Sequence, residues 1–556
     1  MSLPATSSFT EIDTALARLS QGADDLATAS LADRIRLTEA VLQRVQRTAR
    51  DWVQRCCEAK SITTSHGRTE EILGGPGTVA RYLRLLANVL GQIVQTGQPT
   101  LPGRVRPTTV DRLAVPVVPA RGVFDALVFT GLRADVWMQR GVDEANLHGQ
   151  LIDNVVRPQA KPIQLVLGAG NVSSIPVTDA LSKLLQEGVP VLLKLNPVMD
   201  YLKPVFDEVF APLSDRGWIQ IVAGDGQTGA YACSHETIGA VHITGSHHTH
   251  DAIVWGVGDE RAERKASNRP LLDKPMTSEL GNVSPWIIVP GEYTERQLRF
   301  QATNIAASLT NNAGFNCLTT RAIVTSRSWP QRERFLQLLR EALAAVPERV
   351  PYYPGARERY TRFSGRDIDD THKHLPWTLL DGISPDTQTP LFTDESFVCI
   401  CAEVPIPGST ETFLEAAVDF CNNRLFGTLC SAITVPDSFR RTQSARLERA
   451  IDAMNYGSVC LNQWPGLVYG LMTPPWGARP GGDLRDVQSG LGSVHNLYFL
   501  DLFDKTVFYG PLCNFPKPVW FPSHQRSEQI AWKLVDLFAQ PGLGQLPGLL
   551  IPALRG

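Results

Sequence analysis

Two side chains in this sequence, taken with their neighbours, suggest covalent chemistry. Cys317 ends the segment Asn-Asn-Ala-Gly-Phe-Asn-Cys, whose small residues allow close backbone approach and leave the thiol accessible. A thiolate is a strong nucleophile, and a covalent intermediate would divide the oxidation of a carbonyl group into two easier steps. Glu279 precedes Leu-Gly, where a turn could direct a carboxylate into a cleft. Burial raises the pKa of such a group, which could then deprotonate a water molecule.

A third candidate is Asn171, in the segment Gly-Ala-Gly-Asn, whose side-chain amide could stabilise an oxyanion. Each of the three residues also has an ordinary structural interpretation, as a buried thiol, a loop acid or a turn residue. The prediction of a site therefore depends on the order and spacing of the surrounding motifs.

Short apolar strands alternate with helical segments after residue 163. The pattern predicts strands at 163–167, 189–194, 218–222 and 240–243, and helices at 177–187, at 201–214 and from about 248. Such alternation indicates βαβ units and a largely parallel sheet, where ligands bind beyond the carboxyl ends of the strands. The residues at those ends, where we expect a nucleotide, are Asn171, Lys194, Gly224, Gly226, Gly245 and Ser246.

The rest of the chain has weaker patterns. Residues 351–390 are polar and interrupted by Pro and Gly, which predicts a long surface excursion. The apolar C-terminal end is broken by Pro and Gly, and we expect it to pack on a neighbouring surface rather than insert in a membrane. Helices are predicted at 11–60, 79–96 and 525–539, strands with loops at 101–160, and a second α/β region at 286–470.

The bulk composition bounds the class of protein. A chain of 556 residues is too long for one core, so two or more domains are expected. A net charge of −3 gives no general reason to expect nucleic acid or an anionic membrane as a partner. The N-terminus does not have the pattern of a secretory signal, and no apolar run is long enough to span a bilayer. Ten scattered cysteines then favour reduced thiols and a cytoplasmic location.

Several motifs occur in an order that resembles the aldehyde dehydrogenase superfamily, over about residues 160–500. They are GAGN (168–171), VLLK (191–194), GDG (224–226), ITGS (243–246), ELGNVSP (279–285), NAGFNC (312–317) and DESF (394–397). The resemblance implies an α/β fold with a Rossmann-type cofactor domain, an α/β catalytic domain and a small oligomerisation hairpin. It also implies NAD or NADP as cofactor, a small-molecule aldehyde substrate, and a homodimer or homotetramer.

Domain boundaries follow from the resemblance. N-terminal helices and the dinucleotide-binding domain would occupy 1–280, with part of 110–160 as the hairpin. The catalytic domain would occupy 281–470, and 471–515 would return to the cofactor domain and add an oligomerisation strand. Residues 516–556 would be a C-terminal extension.

The resemblance also implies a role for each candidate. Cys317 would be the nucleophile, Glu279 the general base, and Asn171 with the Cys317 N–H the oxyanion hole. The expected cofactor contacts are Lys194 at the adenosine ribose, Gly224 and Gly226 in a strand-end turn, Gly245 and Ser246 at the pyrophosphate, Glu395 at the nicotinamide ribose and Phe397 packing nearby.

The sequence departs from the family pattern at several positions. Gly170 stands where the family has tryptophan, Phe315 where it has glutamine, and His250 where it has a second glycine. The segment Lys194-Leu-Asn-Pro lacks the acidic residue that often selects NAD, so the choice between NAD and NADP stays open. An insertion lies between Ser246 and Glu279.

Two alternatives follow from these departures. The first is a CoA-dependent acyl-CoA reductase or acylating aldehyde dehydrogenase, which the segment GAGNVSSIP also resembles; Glu279 counts against it, because CoA-acylating relatives commonly lack a base there. The second is a nucleotide-binding homologue without catalysis. The histidines at 242, 247, 248 and 250 are interpreted as a polar loop at a helix start, and no metal site is predicted.

Overall fold

The computed structural model describes residues 6–157, 161–369, 371–409 and 411–556. Residues 1–5 of the N-terminal segment, where no signal was expected, and residues 158–160 of the expected hairpin lie outside this part of the chain. The strands are β1 (Arg106–Pro107), β2 (Leu113–Val118), β3 (Arg133–Met138), β4 (Ile163–Leu167), β5 (Val191–Lys194), β6 (Ile219–Val222), β7 (Ile238–Gly245), β8 (Met276–Leu280), β9 (Ser284–Ile288), β10 (Thr320–Ser326), β11 (Thr378–Leu380), β12 (Ile400–Ile406), β13 (Cys430–Thr434), β14 (Ser458–Leu461), β15 (Gly490–Leu491) and β16 (Phe503–Tyr509).

Helices cover both faces of the sheets and form the N- and C-terminal regions. The α-helices are α1 (Phe9–Thr28), α2 (Leu31–Ala59), α3 (Ser65–Ile72), α4 (Thr78–Thr96), α5 (Val123–Val128), α6 (Gln150–Val156), α7 (Ile175–Leu181), α8 (Lys203–Ser214), α9 (Gly226–Ser234), α10 (His247–Trp255), α11 (Asp259–Ala266), α12 (Glu295–Thr310), α13 (Arg332–Ala344), α14 (Ala356–Ser364), α15 (Pro390–Thr393), α16 (Phe413–Arg424), α17 (Asp437–Thr442), α18 (Ser444–Ala453), α19 (Gly466–Leu471), α20 (Ser527–Ala539) and α21 (Leu546–Leu554). In the described ranges, none of them combines the length and apolar character that a membrane crossing requires.

The smaller sheet has the strand order β15-β8-β7-β4-β5-β6. Strands β4 to β8 pair in parallel, and β15 adds one antiparallel edge. The four strands predicted between 163 and 243 are all present, with their ends within two residues of the prediction. Because β5 and β6 lie on one side of β4 and β7 on the other, the strand order reverses at β4. Such a reversal opens a ligand crevice at the carboxyl ends of the strands.

The larger sheet has the order β1-β2-β3-β16-β14-β13-β9-β10-β12-β11. Its central strands run in parallel, while β1, β2 and β3 form an antiparallel ribbon that joins it through β16. The segments expected to form an oligomerisation hairpin and strand therefore pair within this sheet of their own chain. Oligomerisation itself stays a prediction.

One expectation needs correction. The segment 351–390 is not only a surface excursion, because it contains α14 and β11 and buries Tyr360 and Phe363. The Pro- and Gly-rich C-terminal end forms the nine-residue helix α21 and packs against a neighbouring element, α20, in agreement with the prediction. The predicted amphipathic helix near 525–539 is confirmed as α20, whose apolar face is buried.

Candidate active site

The sequence-predicted residues converge on one cavity of about 1130 Å³ at the carboxyl ends of the smaller sheet's strands. Its volume is slightly above the range of about 300–1,000 Å³ for ligand sites. Gly224 is the one predicted residue that does not line the cavity, although the next residue, Asp225, does. Those that do are Asn171, Lys194, Gly226, Gly245, Ser246, Glu279, Cys317, Glu395 and Phe397.

Cys317 is carried by a tight turn between α12 and β10. The backbone φ angles of Asn312, Ala313 and Gly314 are 50°, 56° and 81°, so three successive residues are left-handed. For a non-glycine residue this conformation costs roughly 1–3 kcal/mol and persists only where the surroundings impose it. A Cβ atom on Gly314 would lie 2.9 Å from the backbone nitrogen of Cys399, so this position also requires glycine for space.

The buried guanidinium of Arg321 anchors this turn. It donates hydrogen bonds to the carbonyl oxygens of Gly314, at 2.6 Å, and of Val398. Burial lowers the pKa of Arg321 to about 10, which leaves it charged at neutral pH. Arg321 thus ties the nucleophile turn to the segment that follows Phe397, a role that the sequence pattern did not indicate.

Asn171 is joined to the same turn through amide hydrogen bonds. Its Nδ2 donates to the carbonyl oxygen of Phe315 at 2.9 Å, and Asn312 Nδ2 donates to the Asn171 carbonyl oxygen at 3.1 Å. A primary amide carries two hydrogens, so one N–H of Asn171 remains for a ligand. The structure therefore brings the proposed oxyanion donor and the nucleophile turn together.

Lys60, which directly follows α2, binds the backbone of Asn171. Its ammonium donates to the Asn171 carbonyl oxygen at 2.9 Å, to Glu71 Oε1 at 2.8 Å and to Asn312 Oδ1 at 3.3 Å. All three ammonium hydrogens are therefore used. Burial disfavours the charge, but Glu71 raises the pKa of Lys60 above its usual value. This buried ion pair fixes the position of the loop that carries Asn171.

Cys317 and Glu279 line the cavity together. Of the ten cysteines, all of them described, only Cys317 and Cys513 are partly exposed. Burial, with negative charge on Asp179 and Glu395, raises the pKa of Glu279 to about 8. The Cys317 residue is partly exposed, but protein atoms enclose its thiol; this burial, with negative charge on Glu279 and Glu395, raises the pKa of the thiol well above its usual value. A thiol and a titratable carboxyl group thus share the lining of one cavity.

The part of the cavity that Lys194 and the start of α10 line has the features of a dinucleotide site. Lys194 ends β5 and is buried, and burial lowers its pKa. Ser246 caps α10 by accepting a hydrogen bond from Thr249 N–H at 3.1 Å, and the first turn of that helix lines the cavity. Unpaired N–H groups at a helix start favour an anion such as a pyrophosphate.

Glu395 and Phe397 also line the cavity. The Asn282 N–H donates to Glu395 Oε1 at 3.2 Å. Burial raises the pKa of Glu395 to about 7, against the opposing effect of Arg321. Phe397 packs against Phe315 and Tyr353, with ring centroids 5.9 and 5.1 Å apart. The aromatic side chain at 315, unusual for the family pattern, belongs to this cluster.

Two departures from the family pattern have a local explanation. A Cβ atom on Gly170 would lie 2.6 Å from Asn196 Cγ, so the Asn196 side chain occupies the space of the expected tryptophan. His250, in place of a glycine, is fully buried in α10. The insertion contributes Leu271, Leu272 and Asp273 to the cavity lining.

The histidine cluster has an acidic neighbour that is distant in sequence. Ligand atoms of His247, His248 and Asp394 lie within 4.8 Å of one another in the described structure. Arg362 already pairs with Asp394 at 2.9 Å, which places a cation where a metal ion would have to bind. The geometry therefore favours these side chains as a polar cluster at the rim of the cavity over a metal site.

Comparison with known proteins agrees with this geometry. Residues 193–352 match the model of the aldehyde dehydrogenase family. An NAD-dependent aldehyde dehydrogenase from Sinorhizobium meliloti has a similar structure, with a TM-score of 0.58 and 16% identity over 92% of this chain and 89% of that chain. No curated protein matches the sequence significantly.

Two further similar structures contain NADP. A glyceraldehyde-3-phosphate dehydrogenase from Bacillus halodurans matches with a TM-score of 0.58 and 15% identity, over 90% of this chain and 91% of that one. One from Methanocaldococcus jannaschii matches with a TM-score of 0.59 and 13% identity, over 91% and 96%. The family match covers residues 193–352, and the structural matches show that the chain has the fold of these dehydrogenases.

Proposed function

We propose that the protein oxidises an aldehyde to a carboxylic acid through a thioester on Cys317, with NAD or NADP as the hydride acceptor. The observation that carries the proposal is that Cys317 and Glu279 line one crevice, large enough for a dinucleotide, together with Asn171. Lys194, the N-terminus of α10 and Glu395 would hold the cofactor. When bound, its oxidised nicotinamide would take up the hydride that leaves the substrate carbon.

The residues of the chain account for the other steps. Cys317 Sγ forms a bond to the carbonyl carbon, and its proton passes to the adjacent Glu279 carboxylate. The free N–H of Asn171 stabilises the negative charge on the substrate oxygen. After loss of hydride, Glu279 releases the thiol proton to solvent and, as a carboxylate, deprotonates a water molecule, which attacks the thioester carbon. The carbon–sulfur bond breaks, the Cys317 thiolate leaves and takes back a proton from Glu279, and the carboxylic acid departs.

Glu279 also supports hydrolysis over transfer to CoA. Its Oε1 has no hydrogen-bond partner among the described residues, so it can accept one from a water molecule. The same carboxyl group would be unnecessary if CoA accepted the acyl group. Hydrolysis of the thioester therefore gives Glu279 a role, whereas transfer to CoA does not.

The full chain tests this function with an aldehyde panel, NAD⁺ or NADP⁺, and nicotinamide absorbance, each with and without CoA. We expect CoA-independent reduction of one cofactor, abolished by Cys317→Ser. Cys513→Ser, at the other accessible cysteine, is the matched control and should stay active. Strict dependence on CoA would instead favour the acylating reaction, and cofactor binding without turnover would favour a non-catalytic homologue.

A further inference from the structure

A second, much smaller cavity adjoins the crevice at Cys317 and Glu279. It offers about 30 Å³. One water-sized group needs about 10–15 Å³ on this measure, so the cavity holds two or three non-hydrogen atoms. Besides the residues that it shares with the crevice, its walls include Val172, Asp179, Leu318, Tyr469, Trp476 and Val494.

Stereochemistry assigns a role to this space, given the function proposed above. The substrate carbon bound to Cys317 Sγ has three other substituents: the oxygen, the departing hydrogen and the group R of the aldehyde. The oxygen points to Asn171, and the hydrogen points into the crevice that the dinucleotide occupies. R must take the remaining direction, and we assign to it the small cavity, which also has Cys317 and Asn171 in its lining.

Hydrogen bonds fix the positions of the residues that form the walls of the small cavity. Tyr469 OH lies 3.1 Å from Ser174 Oγ and 3.2 Å from Thr178 Oγ1. Trp464 Nε1 donates to the Leu318 carbonyl oxygen at 3.2 Å. Val494 and Trp476 exchange two backbone hydrogen bonds at 2.8 and 2.9 Å. Moving these walls apart would break these contacts, so only a smaller side chain in the wall can enlarge the cavity.

The charge of the walls adds a second restriction. The Asp179 carboxylate accepts a hydrogen bond from Thr244 Oγ1 at 2.7 Å and lies 3.6 Å from His242 Nε2 and 3.5 Å from His495 Nε2. Burial disfavours its charge, but these histidines hold the pKa of Asp179 below its usual range. An ionised carboxylate in the wall repels an acyl group that carries negative charge.

We propose that the substrates are short, uncharged aldehydes with one or two non-hydrogen atoms beyond the carbonyl group, such as acetaldehyde, propanal and glycolaldehyde. This inference rests on the proposed function. Each excess methylene in a pocket of fixed size costs roughly 10-fold or more in kcat/KM.

The test measures kcat/KM of the full chain for straight-chain aldehydes from two to eight carbons, with glyoxylate as the anionic counterpart of glycolaldehyde. We expect a fall of at least about 100-fold between propanal and pentanal, which differ by two methylenes, and a low value for glyoxylate. Val494→Ala and Leu318→Ala, which enlarge the cavity, should move the optimum to longer chains. Val41→Ala, a buried valine that lines neither cavity, is the matched control and should keep the wild-type profile.

Three outcomes would overturn the inference. Faster oxidation of hexanal or octanal than of acetaldehyde would show that R lies elsewhere, while leaving the proposed function intact. An unchanged chain-length profile in both enlarged variants would do the same. A folded protein that oxidises no aldehyde of any length would contradict the proposed function itself and this inference with it.

Discussion

The Lys60 ammonium and the Asn171 carbonyl oxygen lie 2.9 Å apart, although 111 residues separate them in the chain. This contact links the N-terminal helices to the loop that carries the oxyanion donor. Since the Lys60 and Glu71 side chains are almost fully buried, neither has water as a replacement partner.

We therefore predict that Lys60→Met lowers kcat more than it raises KM, because the Asn171 loop loses its support. Leaving Glu71 buried and unpaired costs about 3–5 kcal/mol of folding stability. The double variant Lys60→Met/Glu71→Leu removes that charge and should recover stability without recovering kcat. Steady-state kinetics with thermal unfolding measures both effects. Equal recovery of kcat and stability would mean that Lys60 has only a structural role.

The raised pKa of Glu279 predicts a pH dependence of hydrolysis. A carboxyl group with a pKa of about 8 is mostly protonated at pH 7, and only its ionised form is a base. Deacylation should therefore accelerate as pH rises through about 8. Glu279→Gln should slow it by roughly 10²–10⁴-fold and abolish this rise. Single-turnover decay of the acyl-enzyme measures the rate; a variant that retains the wild-type pH profile would exclude Glu279 as the base.

Arg321 should be essential for the shape of the nucleophile turn. Arg321→Met leaves the carbonyl oxygens of Gly314 and Val398 without their donor, at a cost of about 1–3 kcal/mol for each buried group. We expect a lower unfolding temperature and a lower kcat. Arg321→Lys retains the charge and a donor group. Its unfolding temperature and kcat should lie between those of the wild type and those of Arg321→Met. A wild-type unfolding temperature in Arg321→Met would show that the turn does not depend on the hydrogen bonds of Arg321.

Lys194 should act on cofactor binding alone. It lines the crevice at the end of β5, in the smaller sheet, whereas the Cys317 turn precedes β10 of the larger sheet. Lys194→Ala should raise the KM for NAD⁺ or NADP⁺ by about 10-fold or more, as expected for one lost hydrogen bond to a charged group, while kcat changes little. Lys203→Ala, at a partly exposed lysine that pairs with Asp207, is the control. A selective loss of kcat would place Lys194 in the chemistry instead.

The sequence predicted the smaller sheet well, because β4 to β7 are apolar strands with strong local patterns and glycine-containing turns. It could not predict the support of the site in the same way. Lys60 resembles a surface residue at a helix end, and its partners Asn171 and Asn312 lie 111 and 252 residues away. The role of segment 351–390 was missed for a similar reason, since Tyr360 and Phe363 are buried by tertiary contacts in a polar stretch.

The site residues were predicted from the order of the motifs, and the structure brings nine of them to one cavity. Asp179 was missed, because a carboxylate inside an apolar helix gives no signal by itself. Its partners His242 and His495 come from β7 and from the segment after β15. Only the folded chain brings these three residues together and places Asp179 in the same small cavity as Cys317.

The most direct test of the central claim is the intact mass of the protein after rapid quenching in acid, during turnover of an aldehyde with its cofactor. The account predicts a mass increase equal to the acyl group, located on the peptide that contains Cys317 and increased in amount by Glu279→Gln. An acyl group on another residue, or turnover that persists in Cys317→Ser, would contradict it.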